Sequence, residues 1–394
     1  MQIKHIRRHT RIKCAMARTG VAAAAVLGCL PAAHAQSSVD LYGIVMSGVI
    51  WTNNVAGGKS TGMAEGPSRW GLRGQEDLGG GMKTVFRLES GFAPSTGQSF
   101  QGGRLFGRQA YVGLSDGSWG TITLGRQYDF AADWLAQTSA PYRWNGYFAH
   151  PGDNDNFNYQ FRVNNSAKYV SSNLQGLQLG AMYSLGGVAG SFGNQSAMSF
   201  GAKYENGPVK VQAAYFHMNH PALAAAEGNW STILFPQVSA TSPLHNNGLN
   251  PSSMDVYGIG GTYQFDKTTL GLLWSHSDYR KLGDAADRLS EANVRFDNIE
   301  ANVAYSVTPQ IQLVGAYTYT VGKVSQTGFA PQYHQINAGV NYFLSKRTIL
   351  YLAGIYQRAA GDATNANIEC AGSSCEASSS KNQVSVLSGI FHAF

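Results

Sequence analysis

The chain has 394 residues, 43% of them hydrophobic, with 29 basic and 23 acidic side chains for a formal charge of +6. Six basic residues and no acid fall within the first 35 positions, so the remaining 23 basic residues balance 23 acidic ones, and a basic face for nucleic acid is excluded. A mean hydropathy of −0.19, with no long apolar run beyond those 35 positions, excludes a helical membrane protein.

The chain opens with Lys4, Arg7, Arg8, Arg11, Lys13 and Arg18, followed by the short apolar stretch from Val21 to Leu30 and by Ala33-His34-Ala35. This basic, apolar and small-x-small order is that of a cleaved signal peptide over residues 1–35, and the apolar run is too short to span a bilayer. Val26-Leu27-Gly28-Cys29 loosely resembles a lipoprotein signal, but the Ala-x-Ala site fits better. Cys14 and Cys29 leave with the leader. Cys370 and Cys375 remain in a Gly/Ser-rich stretch and are expected to close a loop disulfide in an oxidising compartment. A metal site would need two further ligands, which the spacing does not offer, and no cofactor is expected.

Residues 36–394 read as one all-β domain. Sixteen stretches alternate apolar and polar side chains, near 39–51, 69–76, 82–91, 105–115, 119–128, 164–172, 177–186, 195–205, 209–219, 254–264, 269–279, 295–307, 310–322, 334–345, 347–358 and 383–394. Short turns such as Ser115-Asp116-Gly117-Ser118 and Asn206-Gly207-Pro208 alternate with long loops near 52–68, 92–104, 129–163, 187–194, 220–253, 280–294, 323–333 and 359–382. Strands with one oily and one wet face, joined alternately by short turns and long loops, predict an antiparallel transmembrane β-barrel in an outer membrane, closed because lipid cannot satisfy a free sheet edge. Leu177, Leu179, Ala181, Tyr183 and Leu185 form one oily face; Ile311, Leu313, Gly315, Tyr317 and Tyr319 form another. Trp51, Trp119, Trp274, Tyr342 and Tyr356 fall near strand ends, where amphipathic rings favour the membrane–water boundary.

Ser38-Val39-Asp40-Leu41-Tyr42-Gly43-Ile44 resembles the opening strand of Gram-negative porins of the neisserial and burkholderial type. Arg69-Trp70-Gly71-Leu72-Arg73-Gly74-Gln75-Glu76-Asp77-Leu78-Gly79-Gly80-Gly81 is similar to that family's second strand and turn, and Gly103 to Leu114 and Gly120 to Tyr128 continue the likeness. Arg162 to Tyr169 and Leu344-Ser345-Lys346-Arg347-Thr348 extend it to the second half. The resemblance implies a sixteen-stranded barrel that assembles as a homotrimer in the outer membrane, among lipid and lipopolysaccharide, and passes small hydrophilic solutes passively. It implies that the loop at 129–163 folds into the lumen as a constriction. It also implies that Phe394, with Ile390 and Val386 on its face, is the signal read by the barrel assembly machinery.

Parity then assigns pore chemistry. Arg69 and Arg73 oppose Trp70 and Leu72; Lys83, Arg87 and Glu89 oppose Phe86 and Leu88; Lys168 opposes Ala167 and Tyr169. These side chains are expected to form a positive wall, faced by Asp129, Asp133, Asp153 and Asp155 of the infolded loop as a negative rim. Arg108 and Arg126 share parity with apolar residues, which leaves their direction open. Met46, Ile349 and Ala353 stand where many family members carry acids, so a weak anion preference is expected.

Rival readings are a substrate-specific channel, for which Trp134, Tyr142, Trp144 and Tyr147 could supply an aromatic track, and a surface receptor or adhesin using loops 220–253 and 359–382. Gly152 to Asn156 carries a fragment of a calcium-loop rhythm without the required Gly and Glu. His217, His220 and Asp255 raise a barrel hydrolase, but no Gly-x-Ser-x-Gly turn presents a nucleophile, and no enzyme is expected.

Overall fold

A computed structural model describes residues 37–228, 251–283, 291–368 and 377–394. Residues 1–35, the expected signal peptide, and both Cys370 and Cys375, the expected disulfide, lie outside the described residues. The strands are β1 Ser38–Val55, β2 Gly58–Glu65, β3 Arg69–Gly79, β4 Met82–Gly91, β5 Gln109–Asp116, β6 Gly120–Gln127, β7 Val163–Val170, β8 Leu177–Ser184 and β9 Ala197–Asn206. They continue as β10 Val209–Asn219, β11 Pro251–Phe265, β12 Thr268–Leu282, β13 Val294–Ser306, β14 Ile311–Val324, β15 Pro331–Phe343, β16 Thr348–Gly361 and β17 Asn382–Ala393.

Neighbours in sequence pair antiparallel around a ring that closes where β1 meets β17, from Ile44 opposite Ala393 to Thr52 opposite Ser385. Seventeen strands occupy sixteen places in the wall. The first half of β1 pairs with β3 and the second half with β2, so β2 and β3 together fill one place, broken at Gly66-Pro67-Ser68. The break is held by Ser68, whose Oγ accepts from the Met46 N–H at 2.9 Å and donates to the Met46 carbonyl at 3.2 Å. The expected loop at 52–68 is therefore a hairpin that lengthens the barrel. Its run Gly57-Gly58-Lys59-Ser60-Thr61-Gly62 lacks an apolar alternation, so its pairing comes from the edge that β1 offers.

Burial is inverted relative to a soluble sheet. On β14, Val314, Ala316, Thr318 and Thr320 are buried while Leu313 and Tyr317 are exposed; on β8, Leu179 and Tyr183 are likewise outward. Gln335, Ser385, Asn298 and Glu300 are fully buried on the inner face. A continuous outer band of exposed Leu, Ile, Val and Tyr with polar groups inside is stable only where lipid wets the outside. Trp119 and Tyr342 are exposed near the short-turn end, and Trp51, Trp274 and Tyr356 toward the long-loop end, which places an aromatic girdle at each boundary.

The core sits inside the barrel. Phe130, Trp134, Leu135, Phe157 and Phe161 of the loop after β6 pack on Met182, Phe216, Met218, Met254, Val256, Leu273, Tyr279 and Phe296 of the wall. The loop is folded into the lumen.

Candidate pore constriction

The loop enters through a helical turn at Phe130–Asp133, capped by Asp129, whose Oδ1 accepts from the Ala131 N–H at 2.8 Å and the Ala132 N–H at 3.1 Å. It then lies in a trough made by missing side chains. Gly180 and Gly201 stand opposite each other on β8 and β9; a Cβ on Gly180 would come within 2.1 Å of the Phe130 ring, and one on Gly201 within 2.8 Å of Phe130 and Trp134. On β11, a Cβ at Gly260 would meet Thr138 Oγ1 at 2.1 Å. Small residues at these lumen positions let the loop backbone approach the wall, and each buried aromatic then contributes roughly 2 kcal/mol.

Polar clamps fix the far half of the loop. Glu300 of β13 accepts from the Ala140 N–H at 2.8 Å and lies 3.1 Å from His150 Nε2, while Asp155 lies 2.7 Å from His150 Nδ1. Ser275 donates to Asp155 at 2.5 Å, Ser277 donates to Asn154 Oδ1 at 2.8 Å, and Gln335 Nε2 donates to the Ala149 carbonyl at 3.0 Å. Burial disfavours charge on His150, but the Asp155 and Glu300 carboxylates outweigh it and push the imidazole up to about 10, so it donates from both nitrogens at neutral pH. Burial raises Asp129 to about 6 against the two capping N–H groups and Lys168, and burial lowers Arg162 to about 10.

These contacts correct the expected negative rim. Asp129, Asp153 and Asp155 are buried and spent on holding the loop: Asp129 as a cap, Asp153 accepting from the Asn158 N–H at 2.8 Å, and Asp155 on His150 and Ser275. Asp133 alone of the four keeps a side chain 40% exposed, and it ion-pairs with Lys168 at 2.6 Å. Lys168 is thereby neutralised against the loop, its Nζ 4.4 Å from the Phe130 ring centroid, instead of standing free in the positive wall. Lys83, opposite Asp77 beside the short turn, belongs to the mouth at that end.

The arginines lie across the opening from the clamped loop. Arg69 and Arg108 both reach Glu89, at 3.7 and 2.8 Å, and Tyr42 donates to the same carboxylate at 2.8 Å. Arg73 and Arg87 stand directly opposite each other on β3 and β4, with guanidinium carbons 5.2 and 5.7 Å from the Tyr42 ring centroid. Arg73 also pairs with Asp40 at 3.4 Å, both half-exposed, a contact of little energetic weight. From the loop, Arg143 stacks on Trp144 at 4.7 Å and hydrogen-bonds Asn302. The space between loop and wall is lined by Arg69, Arg108, Arg143, Tyr142 and Tyr159, with Met46, Ile349 and Tyr351 closing the side near β16 and β17.

Sequence reasoning left Arg108 open and missed Arg143 and Tyr42. It also missed Glu227, which pairs with Arg126 and, at 3.4 Å, with Arg104. Arg108 precedes β5 by one residue, so strand parity does not govern it. The suspected hydrolase residues His217 and Asp255 do pair, at 2.9 Å, but on outward positions of β10 and β11.

A sequence model of Gram-negative porins matches residues 20–362. An outer membrane porin of Bordetella pertussis is 31% identical over 87% of this chain and 94% of its own length. Outer membrane porin protein 32 of Delftia acidovorans is 30% identical over 94% of this chain and 98% of its own length. The anion-selective porin from Comamonas acidovorans superposes with a TM-score of 0.71 at 23% identity, over 91% of this chain and all of that one, which shows a shared fold.

Proposed function

Because the chain belongs to the family of Gram-negative porins and forms an outer-membrane diffusion channel, we propose that its pore favours anions weakly. One observation carries this reading. Arg69, Arg108 and Arg143 line the opening and Arg73 and Arg87 lie over the ring of Tyr42, which donates to Glu89, while three of the four loop acids are buried in structural contacts. In a narrow aqueous pore with low-dielectric walls, an unbalanced set of fixed cations raises local anion concentration. Glu89 moderates the effect by tying Arg69 and Arg108, and Asp133 adds one exposed acid.

The working unit in this reading is a homotrimer in the outer membrane, exported by residues 1–35, inserted by the barrel assembly machinery through Phe394 and Ile390, and surrounded by lipid and lipopolysaccharide. Phe394 fits that role, since its ring lies against Gly43 on the outer face and its backbone exchanges both hydrogen bonds with Gly43, at 3.0 and 3.1 Å.

A second reading is a channel tuned to one class of anion. Tyr142, Tyr159 and Trp144 stand beside Arg69, Arg108 and Arg143 in the opening, which would suit a solute carrying both a ring and a carboxylate or phosphate. Single-channel recording in planar bilayers separates the two. An ohmic step indifferent to added solutes supports general diffusion, saturating block by an aromatic acid supports the tuned channel, and absence of conductance overturns both.

A further inference from the structure

A water-filled barrel is lined by polar side chains, and one sector of this lumen departs from that rule. Across β15, β16, β17 and β1, Phe343 stands opposite Ile349, Ile349 opposite Phe391 and Phe391 opposite Met46. Strand alternation puts this row on the lumen side with Gln335 and Ser385, away from the outward Tyr342, Leu350 and Ile390. The next row toward the long loops holds Asn341, Tyr351, Gly389 and Gly48, and the one after it Gly339, Ala353, Leu387 and Ile50. Asn341 and Tyr351 supply the only polar side-chain groups in the three rows. The Tyr351 hydroxyl lies 2.5 and 2.8 Å from where Cβ atoms on Gly389 and Gly48 would stand, so its ring reaches across β17 to β1 and widens the apolar face.

Packing of the constriction loop accounts for the upper part of this sector. Tyr147 and Phe148 of the loop cluster with Ile50, Ala353 and Leu387. The lower row continues past the loop toward the short turns. There Ile44, Phe343, Ile349 and Phe391 are half-buried and line the opening, a cavity of about 350 Å³. Apolar side chains turned to water in a pore gain nothing from burial, so loop packing does not explain them.

A cation with spare donors stands at the edge of the apolar row. Arg69 is the direct cross-strand partner of Ile44, and its side chain is 26% exposed. Arg108 and Tyr42 both donate to Glu89 at 2.8 Å, whereas Arg69 stays 3.7 Å from that carboxylate, beyond hydrogen-bond reach. Arg69 also donates to the Pro67 carbonyl at 3.2 Å, which leaves further N–H groups of the guanidinium for a solute in the opening.

We infer that the opening is a subsite for small monocarboxylates with an apolar tail, the carboxylate on Arg69 and the tail along Ile44, Phe391 and Ile349. A charge-assisted contact fixes the head, and the tail sheds water against the row. From Arg69 across β1 to β17 is two strand spacings, roughly 10 Å, a span that suits an acid of about six carbons. The subsite rests on the anion reading of the pore and adds the class of anion: the tail, which fixed charge alone does not sense, decides which acids dwell in the opening.

The test uses the full protein in planar bilayers bathed in potassium chloride, with acetate, butyrate or hexanoate added and the saturating fall in current giving a dissociation constant for each. In wild type the affinity is expected to rise about twofold per methylene, roughly tenfold from acetate to hexanoate, because a half-open wall recovers about half the gain of full burial. Ile44→Gln/Ile349→Gln is expected to flatten the series, and Ile44→Leu/Ile349→Val to keep it. Arg69→Gln is expected to weaken all three acids by a similar factor. Hexylammonium, with the same tail and the opposite charge, is expected not to block. Equal affinity of wild type for the three acids would overturn the subsite; the zero-current potential of the same channel in potassium chloride alone tests the anion reading separately. A series as steep in the Gln double variant as in wild type would place the effect in the bilayer and overturn the subsite, as would block by hexylammonium as strong as by hexanoate.

Discussion

Arg73 on β3 and Arg87 on β4 are direct cross-strand partners whose guanidinium groups both lie over the ring of Tyr42. Two like charges in register are held together by the negative face of one aromatic ring and by aqueous screening in the lumen. A pair of this kind is tolerable where mobile anions pass. It ties wall geometry to ion preference more closely than the net charge of residues 36–394, which is zero.

Replacing both with Arg73→Gln/Arg87→Gln should lower the chloride-to-potassium permeability ratio several-fold while leaving the folded yield near wild type. Each charge acts on an ion about 4 Å away with an energy of about 1 kcal/mol in water. Zero-current potentials in planar bilayers read the change, and an unaltered ratio would place selectivity elsewhere in the pore.

The loop trough makes a separate prediction. Gly201→Val puts side-chain atoms where Phe130 and Trp134 now lie, so the loop must lift from β9. Overpacking of this kind costs about 1–3 kcal/mol. The melting temperature should fall, and single-channel records should become noisier as the loop samples several positions. A quiet channel of unchanged conductance would show that the loop is held mainly by its polar clamps.

Those clamps respond to alkali. His150 is raised from an ordinary value near 6.5 to about 10, chiefly because Asp155 and Glu300 outweigh its burial. A raised folded-state value stabilises fully below the unfolded one, so the contribution is complete at acidic pH and is lost as pH rises through about 10. Open-channel noise should therefore grow between pH 8 and 11. In His150→Gln, which bears no charge in this window, the noise should be flat with pH.

Removing the terminal ring with Phe394→Ala should cut the amount of folded protein in the outer membrane severely. Barrel refolded from urea into detergent should nonetheless conduct as wild type does, because only the ring contact with Gly43 on the outer face is lost and the two backbone hydrogen bonds remain. Normal membrane levels of the variant would remove Phe394 from assembly.

The lumen face of the wall was legible in the sequence because strand alternation is local: Arg69, Arg73, Arg87 and Glu89 lie on the side that parity gives them. The infolded loop has no such period. Whether Asp129, Asp153 and Asp155 face water depends on capping, on His150 and on wall residues such as Ser275, more than a hundred positions away. Their burial, and with it the balance of charge in the pore, emerges only in three dimensions. The β1–β2 hairpin escaped for a related reason, since Gly, Ser and Thr become strand there through the partner that β1 supplies.

Arginines of the wall, together with Arg143 of a loop whose acids are mostly buried, should give a pore that prefers anions. The zero-current potential of the wild-type channel across a tenfold gradient of potassium chloride should be displaced toward the chloride equilibrium value; displacement toward the potassium value would show a cation-preferring pore and overturn the reading.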